Sequence, residues 1–308
     1  MPTYRLLLLP ALLALFAALH PVHAQTGATG LSVLKNGVGA RGIALGETGA
    51  ADARLGFASF YNPALLGAQD RAALSIAHEI SVQDVTSQYV GLVLPLGGWT
   101  LGAAMHLASV DNIETRLQPG EAQGDFSSRD FMLGLSAGFS VADNVTAGFS
   151  AKFLYEKLYV DDASGYAFDL GLRARPFGDG ALRDVSLGAA VLNMGDMSAM
   201  RVESTTLPTM LRAGAAYETS GGLDKMLFGV AVDAVSVFKE KTTNLHAGFE
   251  FEYDRLVALR VGYMGGSEIK GMSGGFGVVY GPLNLDYSFV PYSETFGTAH
   301  TFALSLSL

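Results

Sequence analysis

The sequence predicts an all-β chain: a transmembrane antiparallel β-barrel of about 14 strands, with an N-terminal plug segment in its lumen. Three observations carry this expectation. The chain opens with an export signal, it is hydrophobic without containing a helix able to span a bilayer, and its remainder alternates between apolar and small or polar residues.

The export signal comes first. Arg5 supplies a positive start, Leu6 to Leu19 is an apolar run interrupted by Pro10, and Val22-His23-Ala24 has the small-residue form of a cleavage site. A run this short, so flanked, reads as a secretory signal and not as an anchor. The cut is expected before Gln25. That divides the chain into a signal peptide (1–24), an N-terminal arm and plug (25–71) and a barrel (72–308). The localisation expected is the cell outer membrane, after export.

Composition narrows the class. The chain is 49% hydrophobic and 16% charged, with 38 glycines and no cysteine in 308 residues. Beyond the signal no run of 18 apolar residues occurs, so no spanning helix is expected. The absence of cysteine excludes a disulfide framework and a thiolate metal site. Removing residues 1–24 removes Arg5 and no acid, so the formal charge goes from −9 to −10. Without a cluster of Lys and Arg to neutralise phosphates, nucleic acid is not an expected partner.

Alternation is the barrel's own signature. Phe131, Leu133, Leu135, Ala137 and Phe139 alternate with Met132, Gly134, Ser136 and Gly138. Tyr166, Phe168, Leu170 and Leu172 alternate with Asp169, Gly171 and Arg173. Leu283, Leu285, Tyr287 and Phe289 alternate with Asn284, Asp286 and Ser288. One face is apolar and aromatic, as a lipid-facing wall requires. The other is small, polar or charged, as a crowded lumen requires. Fourteen such segments are expected near 72–80, 86–95, 98–109, 126–140, 143–159, 164–175, 183–193, 208–218, 224–237, 242–253, 256–264, 271–280, 282–290 and 299–308. The even number suits a single-chain barrel. Tight connections are expected at Leu96-Gly97, Val141-Ala142, Asp254-Arg255 and Gly281, all after even strands. The longest, 110–125, 194–207, 265–270 and 290–298, follow odd strands. That parity places both termini on one side of the membrane.

Gly37 to Gly67 does not alternate. It is rich in Gly and Ala, with Arg41, Glu47, Asp52 and Arg54 dispersed in it. It is too apolar for a solvated linker and too polar for lipid, so it is expected inside the barrel. Arg41 and Arg54 would find partners among lumen acids such as Asp169, Glu250 and Asp286. The lumen-lining candidates are Lys152, Glu156, Asp169, Arg173, Arg212, Glu250, Arg260 and Asp286. They serve either as a selectivity lining or, as the favoured reading, as pairs that rigidify the interior.

Enzyme-like motifs have plainer explanations. Gly37 to Gly42 matches G-x-G-x-x-G, but no βαβ unit surrounds it. Gly134 to Gly138 and Gly271 to Gly275 match G-x-S-x-G, yet both fall on strands and not on a strand-to-helix elbow. The histidines at 78, 106, 246 and 300 lack metal-ligand spacing. No catalytic residue, metal or cofactor is expected.

The chain resembles the PorV/PorQ family. The residues carrying the resemblance are Gly39-Ala40-Arg41-Gly42, Phe60-Tyr61-Asn62-Pro63-Ala64-Leu65-Leu66-Gly67, Gly188 to Gly195, Leu259-Arg260-Val261-Gly262-Tyr263, Gly271 to Gly277, Leu285 to Pro291 and Thr298-Ala299-His300. The resemblance implies a FadL-like barrel of fourteen strands with a plug motif comprising Arg41, Asp52, Asn62, Pro63 and Ala64. It also implies a part in type IX protein secretion, in cargo handling or surface attachment, with secretion-system proteins and exported cargo as partners. The mature chain of 284 residues (308 minus 24) is short for cargo-shuttling members, and it ends in Leu308 where many barrels end in an aromatic. The alternative expectation is a FadL-like channel whose ligand is a small hydrophobic molecule.

Overall fold

The computed structural model describes residues 28–116, 120–177, 182–219, 225–293 and 296–308. The expected signal peptide and its cleavage point lie outside them. Among the described residues the strands are β1 (Ala73–Ile80), β2 (Val85–Leu96), β3 (Trp99–Thr115), β4 (Gly124–Ala142), β5 (Val145–Leu158), β6 (Asp161–Ala174), β7 (Val185–Met197), β8 (Ala199–Met200), β9 (Glu203–Ser204), β10 (Met210–Glu218), β11 (Met226–Val237), β12 (Thr242–Tyr253), β13 (Val257–Gly265), β14 (Met272–Tyr280), β15 (Leu283–Pro291) and β16 (Thr298–Ser307).

Strands β1 to β7 and β10 to β16 form a closed, 14-stranded antiparallel barrel. Closure is made by β1 on β16, with Ala73 opposite Ser307 and Ile80 opposite His300. Every strand therefore has two partners and no edge is left open, which is how a sheet satisfies its backbone where water is absent. Because Ala73 begins the barrel and Ser307 ends it as a pair, the first and last barrel strands start and finish at one end, here called the terminal end; the other is the distal end.

Most connections at the terminal end are tight, and the local sequence explains why. Gly97 (φ 65°), Gly281 (φ 59°) and the pair Asp254 (φ 54°) and Arg255 (φ 55°) supply the left-handed backbone that short antiparallel turns need. The turn after β4 is at 143–144 and not at Val141-Ala142, because the ladder continues through a register shift between Ser140 and Ala142. Two terminal connections, 175–184 and 219–225, are long, and the distal connections run from two residues, at 159–160, upward. One distal connection, between β7 and β10, folds back as the small β8–β9 hairpin, which the sequence pattern did not indicate.

The β3–β4 hairpin is the largest departure from the expected boundaries. The two strands reach Thr115 and Gly124, beyond the expected 109 and 126. Asp111 and Asn112 interrupt the alternation, with Asn112 at φ 58°, and the ladder resumes beyond a shift between Val110 and Ile113.

The two faces of the wall separate as alternation predicts. Leu135 is 64% exposed and its neighbour Ser136 8%; Leu170 is 58% exposed and Asp169 0%. Phe168, Leu172, Leu259, Leu285 and Phe302 join the outward apolar belt.

The core lies within the barrel. Residues 28–71 contain only short helical turns, at Ser32–Leu34, Ala40–Ala44, Leu55–Phe57, Ala58–Tyr61 and Pro63–Ala68. This N-terminal segment packs on the inward face of the strands at two levels. Toward the distal end, Leu31, Val33, Leu34 and Phe60 share an apolar cluster with Met132, Leu154, Ala167, Met197 and Leu207. Nearer the terminal end its backbone lies directly on the wall. A Cβ built at Gly188 would fall 1.9 Å from Ala50 O, and one at Gly148 2.4 Å from the Pro63 carbonyl. Only glycine permits that approach.

Candidate functional site

The N-terminal segment and the inward face together form the candidate site. Asn62, at φ −162° and ψ 112°, is extended as the residue before a proline must be. Its Oδ1 accepts from Ala64 N at 3.0 Å, which closes the turn begun by Pro63. Its Nδ2 donates to Ala50 O at 2.7 Å and to Leu172 O at 3.1 Å. The carbonyl of Ala64 accepts from Thr146 Oγ1 at 2.8 Å. The Asn-Pro-Ala motif therefore stitches two parts of the segment to each other and to β5 and β6.

Arg41, in the helix Ala40–Ala44, donates to both oxygens of Glu250, at 2.8 and 3.0 Å, and to the carboxylate of Asp52 at 3.1 Å. Arg54 pairs with Glu218 and lies 3.8 Å from Glu250 and 3.6 Å from Glu252. Of the three lumen acids anticipated as partners, Glu250 meets both arginines. Asp169 instead pairs with Lys152 at 2.7 Å and Asp286 with Arg260 at 2.6 Å. Glu250 is thus shared by Arg41, Arg54 and the strand-borne Arg260, while Asp169 and Asp286 pair with strand-borne cations.

The remaining lumen candidates separate into small groups instead of one charged ring. Lys152 also donates to Asn193 Oδ1 at 2.7 Å, and Asn193 N donates to Asp169 Oδ1 at 2.8 Å. This cluster closes the register shift between β6 and β7, where Asn193 sits at φ 60°. Arg260 bridges Glu250 and Asp286. Arg212 reaches Asp233 at 2.9 Å and Glu47 O at 2.7 Å. Glu156 accepts from Thr205 Oγ1 at 3.0 Å. Arg173 donates to Ala51 O at 3.2 Å and to Ser186 Oγ at 3.0 Å.

Three contributors escaped the sequence. Asp233 accepts from Gly49 N and Ala50 N, both at 2.9 Å. Its signal was present, as a lone acid among Val and Ala in β11. Lys270, in the β13–β14 connection, reaches Glu47 Oε1 and Asn36 Oδ1, both at 3.1 Å. Burial opposes ionisation of Glu47, but Lys270, His246 and Arg212 outweigh it and hold its carboxyl below the usual carboxylate value. Burial likewise disfavours the Lys270 charge, and Glu47 leads the groups that raise its pKa regardless. Lys35 lies 2.6 Å from Glu240, in the β11–β12 connection, and Thr29 donates to the same carboxylate. Distal connections thus hold the start of the segment at two points.

The enzyme-like motifs resolve as packing. Gly37 to Gly42 runs into a helix of five residues. Ser136 Oγ meets Ser150 Oγ at 2.8 Å inside the wall. Ser273 Oγ accepts from Gly46 N and donates to Ala44 O, both at 3.1 Å, seating the segment on β14. His78 contacts Gln88, His106 bonds Ser87 at 2.7 Å and His300 bonds Tyr287 at 2.8 Å. Among the described residues no group of three or more His, Asp or Glu is placed to hold a metal ion.

One cavity of about 460 Å³ remains at the terminal end, between the segment and β6, β7, β10, β11 and β12. Arg41, Asp52, Arg54, Arg173, Glu218 and Glu250 line it. The cavity at the terminal end is thus lined largely by charged side chains, whereas toward the distal end an apolar cluster lies beside the Lys35–Glu240 and Lys270–Glu47 pairs.

No family model matches the chain, and no curated protein does. Solved structures share its fold. The Pseudomonas putida toluene transporter TodX aligns over 88% of this chain and 98% of its own, with a TM-score of 0.62 and 16% identity. CymD, a monoaromatic hydrocarbon channel, aligns over 88% and 96%, with a TM-score of 0.60 and 15% identity. A Pseudomonas aeruginosa FadL homologue aligns over 87% and 97%, with a TM-score of 0.55 and 12% identity. These neighbours are FadL-type barrels and not enzymes. The FadL-like half of the expectation drawn from the PorV/PorQ resemblance has counterparts here; its secretion half has none.

Proposed function

We propose that this chain is an outer-membrane channel for small hydrophobic molecules, closed in the present conformation by residues 28–71. The observation that carries the reading is the apolar inward surface toward the distal end, on which Leu31, Val33, Leu34 and Phe60 of the segment pack. Met132, Leu154, Ala167, Met197 and Leu207 turn apolar side chains inward, where a pore for ions or sugars needs polar ones. Apolar solutes gain roughly 25 cal/mol per Å² of surface removed from water, so this surface, uncovered when the segment moves, holds them without a specific polar contact. The strand-borne lumen charges fall into separate pairs and small groups, so among the described residues they form no continuous charged ring to select an ion. The outward belt of Leu and Phe supplies the lipid-facing surface. The resemblance in fold to a toluene transporter and a monoaromatic hydrocarbon channel supports the same solute class.

Uptake of labelled toluene by cells expressing the protein tests this reading. Expression is expected to raise the initial rate above that of cells with an empty vector. Leu207→Glu, in a connection and not in the wall, is expected to reduce the gain by placing a charge on that surface. Unchanged uptake with folded protein in the outer membrane, together with loss of secreted proteins from a deletion strain, would return the secretion reading to first place.

A further inference from the structure

The terminal-end cavity holds a charge arrangement that the channel reading does not use. Arg173 Nη2 donates to Ser186 Oγ at 3.0 Å, and Arg175 Nε donates to the same oxygen at 3.4 Å. Two guanidinium groups thus converge on one neutral hydroxyl. Neither has a carboxylate within 4.0 Å among the described residues. The acids around the cavity are committed elsewhere: Glu250 to Arg41 and Arg260, Glu218 to Arg54, Asp52 to Arg41 and Asp184 to Arg183. Asp70 is exposed.

This departs from every other inward cation just described, each of which meets an acid. Like charges brought together in a half-enclosed space repel, and here Asp52 offsets that repulsion at Arg173 only in part, while Arg175 is exposed to solvent. A serine hydroxyl accepts two hydrogen bonds but carries no charge to offset two cations. The two oxygens of a carboxylate, or two of a tetrahedral phosphate, match the fork of a guanidinium, and such an anion accepts from two guanidinium groups at once. The space for it is present, because Arg173, Arg175 and Ser186 all line the cavity of about 460 Å³. Arg173 is also held by Ala51 O at 3.2 Å, so the N-terminal segment sets its orientation.

We propose that Arg173, Arg175 and Ser186 form a subsite for a small oxyanion, a carboxylate or a phosphate, in the terminal-end cavity. The site is separate from the apolar surface, on the other side of the segment, and does not depend on the channel reading.

Titration calorimetry on the full-length protein in detergent at low ionic strength tests the proposal, with sodium benzoate in one arm and inorganic phosphate in the other. Saturable binding of at least one probe is expected. Benzoate alone would assign the site to the acid group of an organic solute, phosphate alone to phosphate, and both to oxyanions in general. Arg175→Gln, just beyond the β6 ladder, is expected to weaken binding at least tenfold. Arg116→Gln, in an exposed distal connection, is expected to leave it unchanged. Heat-modifiable gel mobility verifies that each variant is a closed barrel. No saturable binding of either probe to the intact protein, or undiminished binding by folded Arg175→Gln, overturns the subsite and leaves the uptake of toluene unaffected.

Discussion

Lys270 Nζ lies 3.1 Å from Glu47 Oε1, joining the β13–β14 connection to the N-terminal segment where Gly46 sits on β13 and β14. Both side chains are largely buried, at 17% and 7% exposure. A buried ion pair adds little over an apolar pair, but removing one partner strands the other charge, at a cost of about 3–5 kcal/mol. Lys270→Met is therefore expected to loosen the segment and not the wall. Hydrogen exchange should rise in residues 37–49 while amides of β13 and β14 stay protected. Equal loss of protection in both would make Lys270 a part of the barrel's own stability.

The same pair gives a pH dependence with a defined sign. The Glu47 carboxyl is held below its ordinary value of 4.5 in the folded protein. A depressed carboxylate contributes stability in full above its unfolded value and loses it as pH falls through the folded one. Lys270 is raised above 10.5, so its contribution is complete below that value. Attachment of the segment is expected to be level from neutral pH down to about 5 and to weaken below 4.5. Segment exchange measured against pH, corrected for intrinsic rates, reads this directly. Weakening already between pH 7 and 6 would point to a different group.

Gly188 and Ala50 make the tightest approach of segment to wall, with a Cβ at Gly188 placed 1.9 Å from Ala50 O. That neighbour is backbone and cannot swing aside. Gly188→Val is expected to displace the segment around Ala50 and break the bond from Asn62 to its carbonyl, while β7 keeps its ladder. Gly98→Val, at a turn with nothing within 4 Å of the added carbon, is the matched control. Protease sensitivity within residues 40–70 should appear in the first variant and be absent from the second.

Much of this was legible in the sequence, and the reasons are local. Leu135 and Ser136 point to opposite sides because the side-chain period of a strand is two, a property of backbone geometry that any stretch of ten residues displays. Turn glycines such as Gly97 announce themselves for the same reason. The lumen face could be listed, but its pairing could not. Glu47 and Lys270 are 223 residues apart, and nothing near either one names the other. Asp233 was passed over because one acid in a strand says nothing of the two backbone amides it caps. The position of the charged cavity at the terminal end was likewise hidden, since it depends on where the segment lies.

The wall and its contents also respond differently to charge. Leu135→Arg puts a cation on the outward apolar face, which costs roughly 2–4 kcal/mol near the bilayer midplane. Ser136→Arg does not meet open water, because Ser136 is 8% exposed and hydrogen-bonded to Ser150. Both variants are expected to fold poorly, for separate reasons. Shortening the segment should rescue Ser136→Arg, by vacating the lumen, and not Leu135→Arg. Rescue of both would mean that the register assigned to β4 is wrong.

Deleting residues 37–67 tests the segment as a whole. The fourteen barrel strands satisfy one another's backbone around a closed circuit, so the wall retains its hydrogen bonds without the segment. What the deletion removes is the apolar filling supplied by Phe57, Phe60 and Leu66, and the partners of several inward charges. Arg212 keeps Asp233, and Arg260 keeps Glu250 and Asp286, so these stay paired. Glu218 and Glu252 lose Arg54, and Lys270 loses Glu47, but all three then face water in an emptied lumen. The barrel is therefore expected to remain folded, with heat-modifiable mobility, and to be somewhat less stable than the intact protein. In planar bilayers it should show a larger single-channel conductance, because the space held by the segment becomes aqueous. Conductance equal to that of the intact protein, in a deletion variant that is well folded, would mean that residues 37–67 do not close the path. The segment would then be better read as an arm that docks a partner, and weight would move from transport through the lumen to binding at the terminal end.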